Sequence, residues 1–173
     1  MKLFQLTNNP DGFASINFEG IDMASILKNG DVSPLQGKSF KWHRDDDLSL
    51  IPDCPFFIGA LPTFKTKKIK KIIDELPNTS TATFKVQGVN YTAFCPLTLM
   101  EGALDKENSF IKRFRNGRIM TIESYAFNGS IPFPQLFRIN EFCLFTFVTD
   151  EIADKLSICE LNNLKLIECN ISK

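Results

Sequence analysis

The chain has 173 residues, 43% hydrophobic and 23% charged, and its 20 Lys and Arg balance its 20 Asp and Glu. That length suits one domain with a sizeable core. Zero net charge argues against a dedicated nucleic-acid binder and against a polybasic membrane anchor.

Five cysteines stand at 54, 95, 143, 159 and 169, with no C-x-x-C pair. They read as reduced, mostly buried thiols of a reducing compartment, not as a disulfide framework or a zinc ribbon. The first residues turn polar by Thr7-Asn8-Asn9, and no apolar run approaches the ~20 residues of a membrane span. The expectation is a soluble, cytoplasmic protein.

In chain order, Lys2 to Thr7 predicts a strand, and Asn8-Asn9-Pro10-Asp11-Gly12 a turn. Phe13 to Phe18 predicts a second strand, which would close a hairpin with the first. Ile21 to Lys28 reads as a short helix capped by Asn29-Gly30, and Ser39 to His43 as a strand. Arg44-Asp45-Asp46-Asp47 is a charged break, and Pro52, Pro55 and Pro62 then forbid a long regular element. Ile69, Ile72, Ile73 and Leu76 repeat at helical spacing and predict a helix over 66–76, stopped by Pro77. Thr81 to Gln87 and Asn90 to Phe94 predict a hairpin. A second hairpin, 110–114 with 118–127, turns at Asn116-Gly117, the dipeptide favoured by type I′ geometry. Leu136 to Ile139 and Leu144 to Val148 read as strands. A helix follows from Thr149 to Leu156, and Leu164 to Glu168 closes as a last strand. Strands grouped as hairpins with two or three short helices make the fold class α+β, mainly antiparallel.

Chemistry-bearing motifs are sparse. His43 is the one histidine, beside the one tryptophan, Trp42, and no local nucleophile or orienting carboxylate accompanies it. A pairing of His43 with a distant cysteine stays open from sequence. The Asp45-Asp46-Asp47 triplet cannot converge on one metal ion; it reads as a solvated turn or as an acidic recognition loop. The lysines at 65, 67, 68, 70 and 71 read as the wet sides of an amphipathic helix or as a basic patch facing a partner. No phosphate-binding glycine loop, nucleophile elbow or zincin motif is present. The expectation is no cofactor, no metal and no catalytic residue.

From Trp42 onward the order of features resembles the bacterial immunity proteins of polymorphic toxin systems, a family that takes its name from a Myxococcus immunity domain. The similarity rests on Ile51-Pro52-Asp53, Leu61-Pro62-Thr63-Phe64-Lys65-Thr66-Lys67, and the helix ending Ile72-Ile73-Asp74-Glu75-Leu76. It continues through Val89-Asn90-Tyr91-Thr92-Ala93-Phe94, Ala103-Leu104-Asp105-Lys106-Glu107-Asn108-Ser109, Tyr125-Ala126-Phe127 and Phe147-Val148-Thr149-Asp150-Glu151-Ile152. Where the family finishes in an aromatic, this chain has Ile167-Glu168-Cys169. The resemblance implies an α+β domain over 42–173, with residues 1–41 as strands and a short helix packed on it. It further implies a non-enzymatic cytosolic antidote whose partner is a cognate toxin domain, with neither nucleic acid nor membrane as partner. For the charged rim of such an interface the expected residues are Arg44, Asp45, Asp46, Asp47, Lys67, Lys68 and Lys71.

Overall fold

The computed structural model describes residues 1–44 and 49–172. In chain order come β1 (Leu3–Asn8), β2 (Ser15–Asn17), α1 (Met23–Asn29), β3 (Ser39–His43), β4 (Thr63–Lys65), α2 (Thr66–Ile73), β5 (Thr79–Val86) and β6 (Val89–Pro96). They are followed by β7 (Leu99–Met100), β8 (Phe110–Arg113), β9 (Ile119–Ser124), β10 (Ala126–Asn128), β11 (Leu136–Ile139), β12 (Thr146–Thr149), α3 (Asp150–Ser157) and β13 (Leu164–Ser172). The class is α+β, and most strand pairs are antiparallel; β3–β5, β7–β11 and β10–β13 are the parallel ones.

The strands form a six-stranded sheet, ordered β10-β13-β1-β12-β11-β7, and a five-stranded sheet, ordered β2-β3-β5-β6-β4, while β8 and β9 form a separate ribbon. β6, β11 and β12 are buried on both faces, whereas β2 and β3, toward one edge of their sheet, bury one. In the six-stranded sheet, Leu3, Phe137 and Phe147 point into a cluster with Phe127 and Ile139, while Leu6, Leu136 and Val148 point the other way. That opposite cluster also takes Phe64 and Phe94 from the five-stranded sheet, Ile69 and Ile72 from α2, and Ile152 and Leu156 from α3. The third cluster packs Leu27 and Ile26 of α1 on Phe40, Phe84 and Tyr91. Most of the 17 phenylalanines go into these clusters: Phe127 alone meets Phe133, Phe137 and Phe147 with centroids 5.0–5.7 Å apart, all edge to face.

The hairpin expected between the first two strands does not form. β1 pairs with β12 and β13, whereas β2 pairs with β3. Leu3 and Leu6 are fully buried, and a central place in a sheet hides them better than a hairpin edge does. Residues 1–41 therefore share their sheets with residues 42–173. The helix expected to reach Leu76 ends at Ile73 and is finished by tight turns, Glu75 N–H to Ile72 O and Leu76 N–H to Ile73 O. The strand expected over 118–127 is split at Tyr125, and β10 leaves the ribbon to lie beside β13.

The turns are also redistributed. Between β8 and β9, Gly117 has φ 82° but Asn116 does not lie in the positive region. The Asn116 side chain instead accepts the Arg118 N–H at 3.1 Å, a local bond that holds its backbone out of type I′ geometry. Two positive φ values in succession, the type I′ pattern, occur at Gln87 (44°) with Gly88 (83°), and at Ile58 (47°) with Gly59 (71°).

Candidate functional site

An open, mainly apolar groove of about 700 Å³ lies where four parts of the chain converge. One wall is the exposed side of α1, with Ala24, Leu27 and Lys28. The next is the tight turn at Phe57 and Ile58. The third is the segment 140–144, with Phe142, Cys143 and Leu144, and the last is the base of the ribbon at Arg118 and Ile119.

Each wall is set locally. α1 starts at Asp22, whose carboxylate accepts the Ser25 N–H at 3.0 Å, and stops at Gly30, whose φ of 74° continues to no further helical turn. Beneath the groove lies Arg138 of β11, 3% exposed. Its Nε donates to Pro96 O at 3.0 Å, and its Nη1 to Leu27 O at 2.9 Å and Cys143 O at 3.2 Å. One guanidinium thus ties the C-terminal end of α1, the end of β6 and the 140–144 segment to β11. Its charge meets the negative end of the α1 dipole. Gly30 belongs to the same arrangement, because a Cβ at that position would collide with Arg138 Nη2.

Two features of the groove are energetically unusual. Ile58 sits at the tip of its turn, closed by Ala60 N–H to Phe57 O at 2.9 Å, with a backbone conformation that β-branched residues avoid. Its side chain is 65% exposed, so little burial offsets that cost. The second is Glu141, which lines the groove and has a buried carboxylate oxygen, Oε2, with no hydrogen-bond partner among the described residues. Lys28 and Arg118 carry the positive charge at the rim. The groove thus combines an apolar floor with a few charged groups at its edge.

Arg118 also lines a second hollow, about 710 Å³, over the outer face of the ribbon beside Arg113, Phe114, Arg115 and Met120. The groove and the ribbon are therefore one continuous surface.

The residues expected at a charged rim are elsewhere. Lys68 donates to Asp53 Oδ2 at 2.7 Å and to Glu160 O at 3.0 Å, and Lys65 approaches Asp53 at 4.0 Å. Asp53 is itself 5% exposed and also accepts the Asn162 N–H at 3.1 Å, so Lys68 is engaged in pinning the 160–163 loop. Lys67 and Lys71 are exposed on α2, away from the groove, and Arg44 is exposed after β3. Asp45, Asp46 and Asp47 lie outside the described residues. His43 lines a different hollow, near Ser15 and Glu19, so it does not share one with Cys143. Burial pushes the Cys95 thiol up to about 11 and the Cys169 thiol up to about 12. Among the described residues no group of three or more His, Cys, Asp or Glu could hold a metal ion, and no helix is long and apolar enough to cross a membrane.

The groove was missed because no local pattern marks it; its walls come from segments 24–28, 57–58, 118–119 and 140–144. The ribbon did carry a signal: Lys112, Arg113, Arg115 and Arg118 occur with no acidic residue from 110 to 122. No protein-family model matches this chain, and no curated protein matches it.

Proposed function

We propose that this chain is an antidote of the immunity type, acting in the cytoplasm by binding a cognate toxin domain and blocking it. The observation that carries the reading is the groove, with Ile58 held strained and exposed on its lip. Backbone strain persists where the surroundings enforce it and is concentrated at ligand clamps and switch regions. An exposed aliphatic side chain next to an apolar hollow, ringed by Lys28 and Arg118, suits a partner that brings an apolar anchor flanked by carboxylates. The order of motifs from Trp42 to the last strand supports the same reading.

The test is co-expression with the toxin domain encoded beside this gene. Growth should be restored, and the two proteins should elute together as a one-to-one complex. Ala24→Trp adds an indole to the exposed side of α1 and fills the groove, so it should abolish both effects while the far-UV spectrum and melting temperature stay unchanged. Rescue by Ala24→Trp as good as that by the natural chain refutes the groove as the interface. Absence of rescue and of complex with the natural chain refutes the antidote reading. His43→Ala should protect fully; its failure in a folded protein would point to chemistry at His43 instead.

A further inference from the structure

We propose that the β8–β9 ribbon is a docking strand pair for an extended acidic polypeptide segment of the partner, an inference that rests on the protein-binding reading above. Three observations converge on it.

The first is charge. Residues 110–122 carry Lys112, Arg113, Arg115 and Arg118 and no carboxylate, in a chain whose net charge is zero. Lys112 is paired with Glu123, and Arg113 Nη1 donates to Gly117 O at 3.0 Å. Arg115 and Arg118 make no ion pair among the described residues. Their planar guanidinium groups are suited to bidentate carboxylate recognition.

The second is apolar exposure. The inner face of the ribbon, with Ile111, Ile119 and Ile122, packs on the cluster around Phe127. The outer surface leaves Phe110 57%, Phe114 50% and Met120 46% exposed. Phe110, Phe114 and Met120 stand among Lys112, Arg113, Arg115 and Arg118, and a clustered apolar and cationic surface of this kind suits one that a partner covers.

The third is the backbone. Among the described residues β8 and β9 pair only with each other; β9 carries two bulges, whereas β8 runs without interruption, so its outer edge presents main-chain N–H and C=O groups in strand spacing. Only another polypeptide completes that ladder, by strand addition. This favours an acidic protein segment over a nucleic acid, which would match the cations but not the edge. A nucleic-acid footprint also calls for basic charge well beyond one ribbon.

The experiment is fluorescence anisotropy with a labelled heptapeptide alternating Glu and Val, against the full chain, at near-physiological salt. The peptide should bind saturably, and binding should fall steeply as salt is raised. The double variant R115E/R118E, at exposed positions, should weaken it at least roughly tenfold without loss of fold. Methylating alternate peptide nitrogens, which removes ladder donors and keeps the charge, should weaken it comparably. Three results overturn the inference: no binding, equal binding of the N-methylated peptide, or tighter binding of a labelled oligothymidylate of similar charge. The antidote reading is judged separately by the growth test. Rescue by the natural chain without peptide binding rejects only the ribbon, and peptide binding without rescue rejects only the antidote.

Discussion

Replacing Ile58 separates the strain of its turn from the packing of its side chain. An L-residue in the left-handed region loses about 1–2 kcal/mol relative to its ordinary conformations, and Asn occupies that region far more readily. Ile58 is 65% exposed, so about a third of its side chain is covered. Full burial of such a side chain stabilises by about 1.5–3 kcal/mol, so that third contributes about 0.5–1 kcal/mol. Ile58→Asn should therefore stabilise the free protein by about 0.5–1 kcal/mol, which for this size raises the melting temperature by about 2 °C. Ile58→Ala loses the same apolar contact but keeps most of the strain, and should be less stable than the Asn variant by about 1 kcal/mol. Urea titration of the three proteins with a common m-value measures both differences. On the proposed antidote reading both variants should bind the toxin domain more weakly, so that the stabler protein would be the poorer antidote. Equal stability of the Ala and Asn variants, or a loss beyond about 1 kcal/mol in the Asn variant, would show that packing and not strain governs Ile58.

Other outcomes follow from the same geometry. Arg138→Met deprives the carbonyls of Pro96, Leu27 and Cys143 of their donor, and chemical denaturation should show a loss of about 3–5 kcal/mol. Ellman titration of the native protein should label Cys143 in the groove first, with Cys54, Cys95 and Cys169 reacting only on unfolding, because they are buried; a bound partner should protect Cys143. Hydrogen bonds from the Asn108 side chain, then from the Asn108 and Glu107 N–H groups, hold the Asp105 carboxyl down to about 2. The group's folded value is depressed, so its stabilisation is present above its unfolded value of about 3.9 and is lost as pH falls through 2. The natural chain should exceed Asp105→Asn in thermal stability near neutral pH, and the two should converge in strong acid.

Much of the fold was legible because its signals are local. The isoleucine spacing of α2, the alternation of β5 and β6, and the Gly30 stop of α1 each depend on a few adjacent residues. The partners of β1 were not legible, because pairing Leu3 with Thr149 and Cys169 depends on which distant apolar strands share its faces. The lysines of α2 show the limit of charge counting: sequence cannot tell Lys68, bound to Asp53, from Lys67, which is exposed. The Asn116-Gly117 signal placed a turn correctly and its geometry wrongly, since a side-chain bond to Arg118 competed with the dipeptide preference.

The place of β1 sets the order in which this protein can be made. Residues 3–8 lie between strands drawn from 146–149 and 164–169. The six-stranded sheet cannot close until residue 169 has left the ribosome. Contacts so distant in sequence slow folding, and during synthesis the first strand must wait with its apolar side chains uncovered. On the proposed antidote reading, a chain cut short before residue 164 would lack β13, one of the two strands that flank β1, and would protect nothing, and protection would depend on folding time as well as on affinity.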